Sequence, residues 1–151
     1  RDRSVSRGLG DVYKRQSLGF VGNRMQLALL REAFNIINEG IADAETVDTV
    51  VRYSLGRRWN LVGPVASADL GGLDTFYNIS TYLFKDMDNG TEPSLLLAWK
   101  VQDGNLGTKT GRGFYEWQGE DGQRIIRERD EQLMQQLAED AAVEDADCKS
   151  E

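Results

Sequence analysis

Histidine is absent from the 151-residue sequence. Without an imidazole, these residues cannot form a Ser-His-Asp or Cys-His nucleophile system, a His–Glu acid–base pair or a histidine metal site. Cysteine occurs once, as Cys148, so a disulfide within the chain and a cysteine-based metal centre are also excluded. Any catalysis would therefore need carboxylates, lysine, tyrosine or a cofactor, and we expect no metal site.

Long apolar runs are missing as well. No stretch approaches the roughly 20 apolar residues that a membrane-spanning helix needs, and the first residues lack the apolar block of a secretory signal. Hydrophobic residues make up 40% of the chain and charged residues 28%, which is typical of one globular domain. We therefore expect a cytoplasmic protein without a membrane partner.

The net charge of −7 is unevenly distributed. Residues 1–16 carry a net charge of +3, so the rest of the chain carries −10. A domain with this excess of carboxylates is a poor nucleic-acid binder, because affinity for phosphates comes from clustered lysine and arginine. We expect no nucleic-acid partner.

Residues 1–16 can be interpreted as a basic binding arm or as a segment foreign to the protein. They are broken by glycines and show no apolar period. Their last six residues, DVYKRQ, are encoded by GAT GTG TAT AAG AGA CAG, which resembles the transposase mosaic-end adapter of sequencing libraries. We therefore expect a non-native leader without biological function, disordered or loosely packed.

Apolar residues recur at helical spacing through most of the remaining chain. No window shows the sustained alternation of a strand, so we predict an all-α fold of about five helices. The predicted helices cover residues 25–41, 43–56, 64–88 with a bend at Gly71-Gly72, 93–104 and 122–140, with a frayed tail after them. The first has two apolar stripes, which predicts a central helix buried on most sides.

Two groups of residues invite a catalytic interpretation that we do not favour. The sequence GNLGTKT at 104–110 departs from a phosphate-binding P-loop, because Thr108 separates Gly107 from Lys109 and no apolar strand precedes it. We expect a tight connection instead. Asp69 and Asp74 flank a glycine pair, where helix caps or ion pairs with Arg57 or Arg58 explain them better than acid–base chemistry.

Asn23 and Arg24 stand at the entry of the first helix, where free N–H groups and the helix dipole favour an anion or a carbonyl oxygen. An asparagine amide there can orient a substrate and stabilise an oxyanion without changing its charge. The alternative is that Asn23 only caps the helix. Spacing alone leaves both interpretations open.

Four blocks, in order, give a specific resemblance: GFVGNRM, EGIADAETVDTVV, GPVASADLGGLD and GTKTGRGFYEW. Between about Leu18 and Trp117 the chain resembles the C-terminal domain of L-3-hydroxyacyl-CoA dehydrogenases, of the 3-hydroxyacyl-CoA dehydrogenase and 6-phosphogluconate dehydrogenase C-terminal-like type. The resemblance implies a helical substrate and dimerisation domain at 17–118, followed by an amphipathic helix at 119–140 and an acidic tail at 141–151.

The resemblance also implies an activity, a cofactor and partners for the full-length enzyme. These enzymes oxidise the 3-hydroxyl of an acyl-CoA with NAD, which is bound by a separate Rossmann domain, and they form homodimers. Their active-site asparagine falls on Asn23, so the resemblance implies a catalytic role for Asn23 and a substrate-binding role for Asn23 and Arg24. It implies no cofactor-binding residue in this chain, and we expect the chain alone to bind no NAD and to be inactive.

Some residues that match the family's blocks have expected structural roles, in helix entry, close packing and the dimer face: Gly63, Pro64, Asp69, Gly72, Leu73, Asp74, Lys109, Thr110, Gly111, Gly113, Phe114 and Tyr115. Two alternatives stay open. Gulonate and carnitine dehydrogenases, which take free acids, share parts of this domain and an arginine-rich helix after Trp117. The chain could also be a stand-alone helical binding or dimerisation module.

Overall fold

A computed structural model describes residues 21–148, and for residues 143–148 it describes only the backbone. The predictions for residues 1–20 and 149–151, including the leader at 1–16, lie outside the described residues. The chain divides into two compact units, of which the first is 22–99 and the second contains 100–148. Each is treated separately below.

Six α-helices and one π-helical segment form the described part of the chain. They are α1 (Val21–Asn38), α2 (Ala44–Val50), the π segment (Val51–Leu55), α3 (Gly56–Gly71), α4 (Leu73–Leu83), α5 (Leu95–Gln102) and α6 (Glu120–Cys148). Between residues 21 and 148 the only β-type pairings are the isolated bridges of Arg112 with Gly107 and Glu116. The predicted all-α class is confirmed. No helix in this described range is both long and apolar enough to cross a bilayer.

The predicted limits of α1 and α2 are set by local chemistry. Gly40 adopts a positive φ of 70°, and the amides of Gly40 and Ile41 donate to the carbonyls of Ile37 and Ile36. This is the pattern of a Schellman C-cap, for which glycine is preferred. Asp43 then caps α2, since its Oδ1 accepts from the Thr46 amide at 2.8 Å.

Gly56 does not end the second helix as predicted. Its φ and ψ of −60° and −41° are helical, and the chain runs from α2 through the π segment directly into α3. The amide of Gly56 donates to the carbonyl of Val51, five residues earlier. A Cβ at position 56 would lie 3.0 Å from that oxygen, so glycine here permits the wide π turn rather than stopping the helix.

Of the two glycine sites predicted further along, the break at Gly63 is confirmed, and Gly72 interrupts the helix instead of bending it. Gly63 has φ 73° and ψ 167°, which kinks α3 immediately before Pro64. Gly72, at φ 89°, separates α3 from α4, so the expected bend is a complete interruption of the helix. Helices α3 and α4 pack against each other across this break.

The prediction of a buried central helix is wrong. No residue of α1 is buried, and its half-buried positions are Leu30 and residues 32–37. The apolar side chains of the other described helices are also open to solvent or only half-buried. Apolar periodicity identifies the helix faces that would be buried in a packed protein. In a single copy of the described chain, those faces remain exposed to solvent or half-buried.

In the second unit, α5 ends as predicted at Gly104. Gly104 has φ 74°, and the Asn105 amide donates to the carbonyl of Lys100 at 2.9 Å, a second Schellman-type end. Helix α6 starts at Glu120, two residues before the predicted start, and continues to Cys148. The expectation of a frayed tail from residue 141 is therefore wrong up to Cys148; the alanines in AAVEDADC favour a helix.

Candidate functional site

Asn23 is the third residue of α1 as the structure describes it, and it is exposed. A residue inside the helix cannot be its N-cap, so the capping alternative does not describe Asn23. The side-chain amide of Asn23 can both donate and accept hydrogen bonds.

Arg24 follows Asn23 on the same exposed turn. Consecutive residues of an α-helix diverge by about 100° around the helix axis. The two side chains therefore leave α1 in different directions, although the sequence treats them as a pair. A ligand that contacts both would have to wrap around α1.

Asp69 and Asp74 lie on either side of Gly72, where the two helices α3 and α4 meet. Asp74 lies in the first turn of α4, where a carboxylate complements the helix dipole. The predicted ion pairs with arginine are not formed among the described residues. Arg57 lies over the ring of Tyr53, and Arg58 donates to Ser54 Oγ at 3.4 Å.

The glycine-rich connection 104–119 uses its own amides. The amides of Gly107, Thr110 and Gly113 donate to the carbonyls of Arg112, Gly107 and Tyr115 at 2.8, 3.2 and 2.9 Å. Amides bonded within the loop are not available to a phosphate, which agrees with the tight connection expected from the sequence.

Lys100 anchors this connection, and the sequence pattern did not single it out. Its Nζ donates to the carbonyl oxygen of Gly113 at 2.9 Å and lies 5.2 Å from the centroid of the Phe114 ring. The loop's own cations, Lys109 and Arg112, are exposed, and Arg112 pairs with Glu116 at 3.0 Å. The signal was the single charge in the apolar helix LLLAWKVQ.

The described residues do not form a Rossmann unit for a nicotinamide dinucleotide. Such a unit has a strand that leads through a glycine-rich turn into a helix, and residues 21–148 contain no strand of that kind. Within the same range, no group of three or more acidic or cysteine side chains is arranged to hold a metal ion.

Comparison with known proteins identifies the family. The family model "3-hydroxyacyl-CoA dehydrogenase, C-terminal domain" matches residues 19–117. The chain is 32% identical over 123 residues to 5-formyl-3-hydroxy-2-methylpyridine 4-carboxylate 5-dehydrogenase of Mesorhizobium japonicum, covering 82% of the chain and 40% of the relative. It is 37% identical over 101 residues to 3-hydroxybutyryl-CoA dehydrogenase of Bradyrhizobium diazoefficiens, covering 66% of the chain and 33% of the relative.

A solved structure supports the fold. The crystal structure of a 5-formyl-3-hydroxy-2-methylpyridine 4-carboxylic acid 5-dehydrogenase, described as an NAD+ dependent dismutase, superposes with a TM-score of 0.75 at 32% identity. The match covers 80% of this chain and 39% of that chain. The chain thus spans about two fifths or less of the length of these relatives. On the family match and these relatives together, the chain belongs to the 3-hydroxyacyl-CoA dehydrogenase family, as its C-terminal domain.

Proposed function

We propose that this chain supplies the substrate-binding and dimerisation part of an NAD-dependent L-3-hydroxyacyl-CoA dehydrogenase, which oxidises 3-hydroxyacyl-CoA to 3-oxoacyl-CoA. The observation that carries the proposal is the family match over residues 19–117. Residues 17–118 form the domain in this proposal, and NAD is held by a separate dinucleotide-binding domain. Relatives named for 3-hydroxybutyryl-CoA support the acyl-CoA as substrate.

Asn23 is the catalytic residue that this chain contributes under the proposal. Its exposed amide on α1 suits hydrogen bonding to the substrate oxygen that changes from hydroxyl to carbonyl. Arg24, next along the exposed turn, is suited to an anionic group of the substrate rather than to the reacting carbon, because it leaves the helix in another direction.

A homodimer is the proposed assembly, and the exposed apolar surface of the first unit supports it. Leu61 is 81% exposed, Val65 77% and Leu70 79% along α3, and Tyr77 is 70% exposed on the adjacent α4. Monomeric proteins rarely expose apolar patches larger than a few hundred Å². A second copy that packs on α3 and α4 would remove these side chains from water.

The chain alone is proposed to be inactive. Hydride transfer from a secondary alcohol needs a general base for the hydroxyl proton, and the sequence has no histidine. An asparagine amide cannot take up that proton at neutral pH. The base and the nicotinamide would both come from the dinucleotide-binding domain.

A second candidate substrate class is a free hydroxy acid. The relative named for a pyridine carboxylate matches 123 residues, whereas the 3-hydroxybutyryl-CoA dehydrogenase matches 101 residues. The family model ends at Trp117, before α6 begins. A match that extends beyond this limit is the observation that favours the carboxylate substrate.

A fusion enzyme tests the proposal. The dinucleotide-binding domain of the Bradyrhizobium diazoefficiens relative would be joined to residues 17–151, and NADH formation would be followed with 3-hydroxybutyryl-CoA and, separately, with 3-hydroxybutyrate. The proposal predicts turnover of the CoA ester by the fusion and none by the isolated chain. Preference for the free acid would select the second candidate. Turnover by the isolated chain would contradict the proposed division of labour.

A further inference from the structure

Two arginines share one tyrosine ring on the π segment. The guanidinium carbon of Arg57 lies 5.0 Å from the centroid of the Tyr53 ring, and that of Arg52 lies 5.4 Å from it. All three side chains are exposed. The electron-rich ring attracts both cations, whereas their like charges repel each other.

The π turn explains how these two arginines reach one ring. Residues five apart in a regular α-helix diverge by about 140° around the axis. The hydrogen bond from the Gly56 amide to the Val51 carbonyl adds a residue to the turn, which brings residues five apart nearer to one face. Arg52 and Arg57 are such a pair.

Among the described residues, no ion pair joins Arg52 or Arg57 to a carboxylate. The ion pairs found among the described residues involve other arginines, namely Arg112, Arg124 and Arg129. The sequence contains no acidic residue between Asp48 and Asp69, although the whole chain carries a net charge of −7. The π segment is therefore a positive region within an acidic protein.

We propose that the guanidinium groups of Arg52 and Arg57, both held by Tyr53, bind an oxyanion, a phosphate or a carboxylate. Contact with the ring leaves the N–H edges of a guanidinium available, and these edges match the oxygens of both anions. A bound anion also removes the repulsion between the two cations. The site does not depend on the proposed dehydrogenase function, and the test needs no turnover.

The test is a titration of the full 151-residue chain, labelled with 15N, in which NMR follows the arginine Nε–H signals at constant ionic strength. Inorganic phosphate and 3-hydroxybutyrate are the probes, and chloride is the reference. We expect saturable shifts at Arg52 and Arg57 but not at the exposed Arg127 of α6. Saturation with phosphate alone identifies a phosphate ligand, and saturation with both identifies a general oxyanion site. Shifts that stay linear and match those in chloride would overturn the proposal.

Three variants distinguish binding by the Arg52, Tyr53 and Arg57 arrangement from non-specific attraction of anions by positive charge. Arg52→Gln combined with Arg57→Gln should weaken phosphate binding at least about tenfold. Tyr53→Leu, which keeps both charges, should weaken binding about two- to fivefold through loss of the ring. Gly56→Ala should weaken it too, because its Cβ would lie 3.0 Å from the Val51 oxygen.

Arg127→Gln is the matched control, and its affinity should equal that of the unmodified chain. Far-UV circular dichroism checks that each variant folds. If Arg127→Gln and the double variant weaken phosphate binding equally, the binding depends only on net charge, and the proposed site is overturned. The titration of the unmodified chain can also overturn the proposal by itself, so the test does not depend on the folding of any variant.

Discussion

The ammonium group of Lys100 donates a hydrogen bond to the carbonyl oxygen of Gly113 at 2.9 Å, across thirteen residues of sequence. It also lies 5.2 Å from the centroid of the Phe114 ring. Lys100 thus connects the end of α5 to the far side of the glycine-rich connection. This half-buried cation therefore adds side-chain contacts to the backbone hydrogen bonds of the connection.

Replacement of Lys100 by Met should destabilise the second unit by about 1 to 2 kcal/mol, because a charge-assisted hydrogen bond and a cation–π contact are lost together. Urea unfolding followed by tryptophan fluorescence gives the free energy of unfolding. Lys109→Met, in the exposed part of the same loop, is the control and should change it little. Equal losses in the two variants would show that Lys100 does not anchor the loop.

Gly113→Ala should also destabilise this connection, by about 1 to 3 kcal/mol. A Cβ on the buried Gly113 would lie 2.9 Å from the Cα of Gly107, a backbone atom that cannot rotate away. Gly22→Ala is the control, since no atom lies within 4 Å of its Cβ position and alanine favours the helix. A fully stable Gly113→Ala variant would contradict the described packing of the loop.

Asp43 should make stability depend on acid pH. Its hydrogen bond from Thr46 lowers its pKa below the ordinary value of 3.8, so the folded form favours the carboxylate. This contribution is fully present above the ordinary pKa and is lost as the pH falls through the lower folded pKa. Asp43→Asn keeps the acceptor and removes the titration.

Thermal unfolding measured between about pH 5 and about pH 2 compares the ionised and the protonated carboxyl of Asp43 as the cap of α2. The melting temperature of the unmodified chain should fall further across this range than that of Asp43→Asn. Asp43→Ala should melt lower than either at the upper end of the range, because the cap acceptor is missing. Parallel pH profiles for all three chains would exclude the cap as the source.

Charge placed on the exposed apolar face should prevent dimer formation. Leu61 is 81% exposed on α3, and a second copy that covers this face would bury the glutamate of Leu61→Glu without a partner. Light scattering should give the dimer mass for the unmodified chain and the monomer mass for Leu61→Glu. Asn60→Glu adds the same charge at the neighbouring exposed position and should remain dimeric. A monomeric unmodified chain would contradict the proposed assembly.

Local signals in the sequence predicted several helix ends, although α4 ends at Leu83, five residues before the predicted end at 88. Gly40, Gly63 and Gly104 adopt positive φ, and Asp43 accepts its capping hydrogen bond, because each depends on a few neighbouring residues. The same reasoning wrongly predicted a helix end at Gly56. Glycine favours a helix end when φ is positive, yet it also permits close approach of a carbonyl, and only the three-dimensional structure shows which property is used.

The site was less accessible to sequence reasoning than the fold. Asn23 lies on α1 and is exposed, but its place at the entry of the helix stays a prediction. The groups that would face it lie in a domain outside this chain under our proposal. The arginine pair on Tyr53 was missed because five-residue spacing does not place two side chains on one face of a regular helix. A π turn changes that geometry without an evident sequence signal.

The most direct measurement of the central claim is kcat of the fusion enzyme with Asn23→Ala, using 3-hydroxybutyryl-CoA and NAD. Loss of a hydrogen bond that stabilises the reacting oxygen should lower kcat about 10²-fold. Asn38→Ala, at the exposed other end of α1, should leave it unchanged. An unchanged kcat for Asn23→Ala, or a fusion that folds and binds NAD but does not oxidise the CoA ester, would contradict the account.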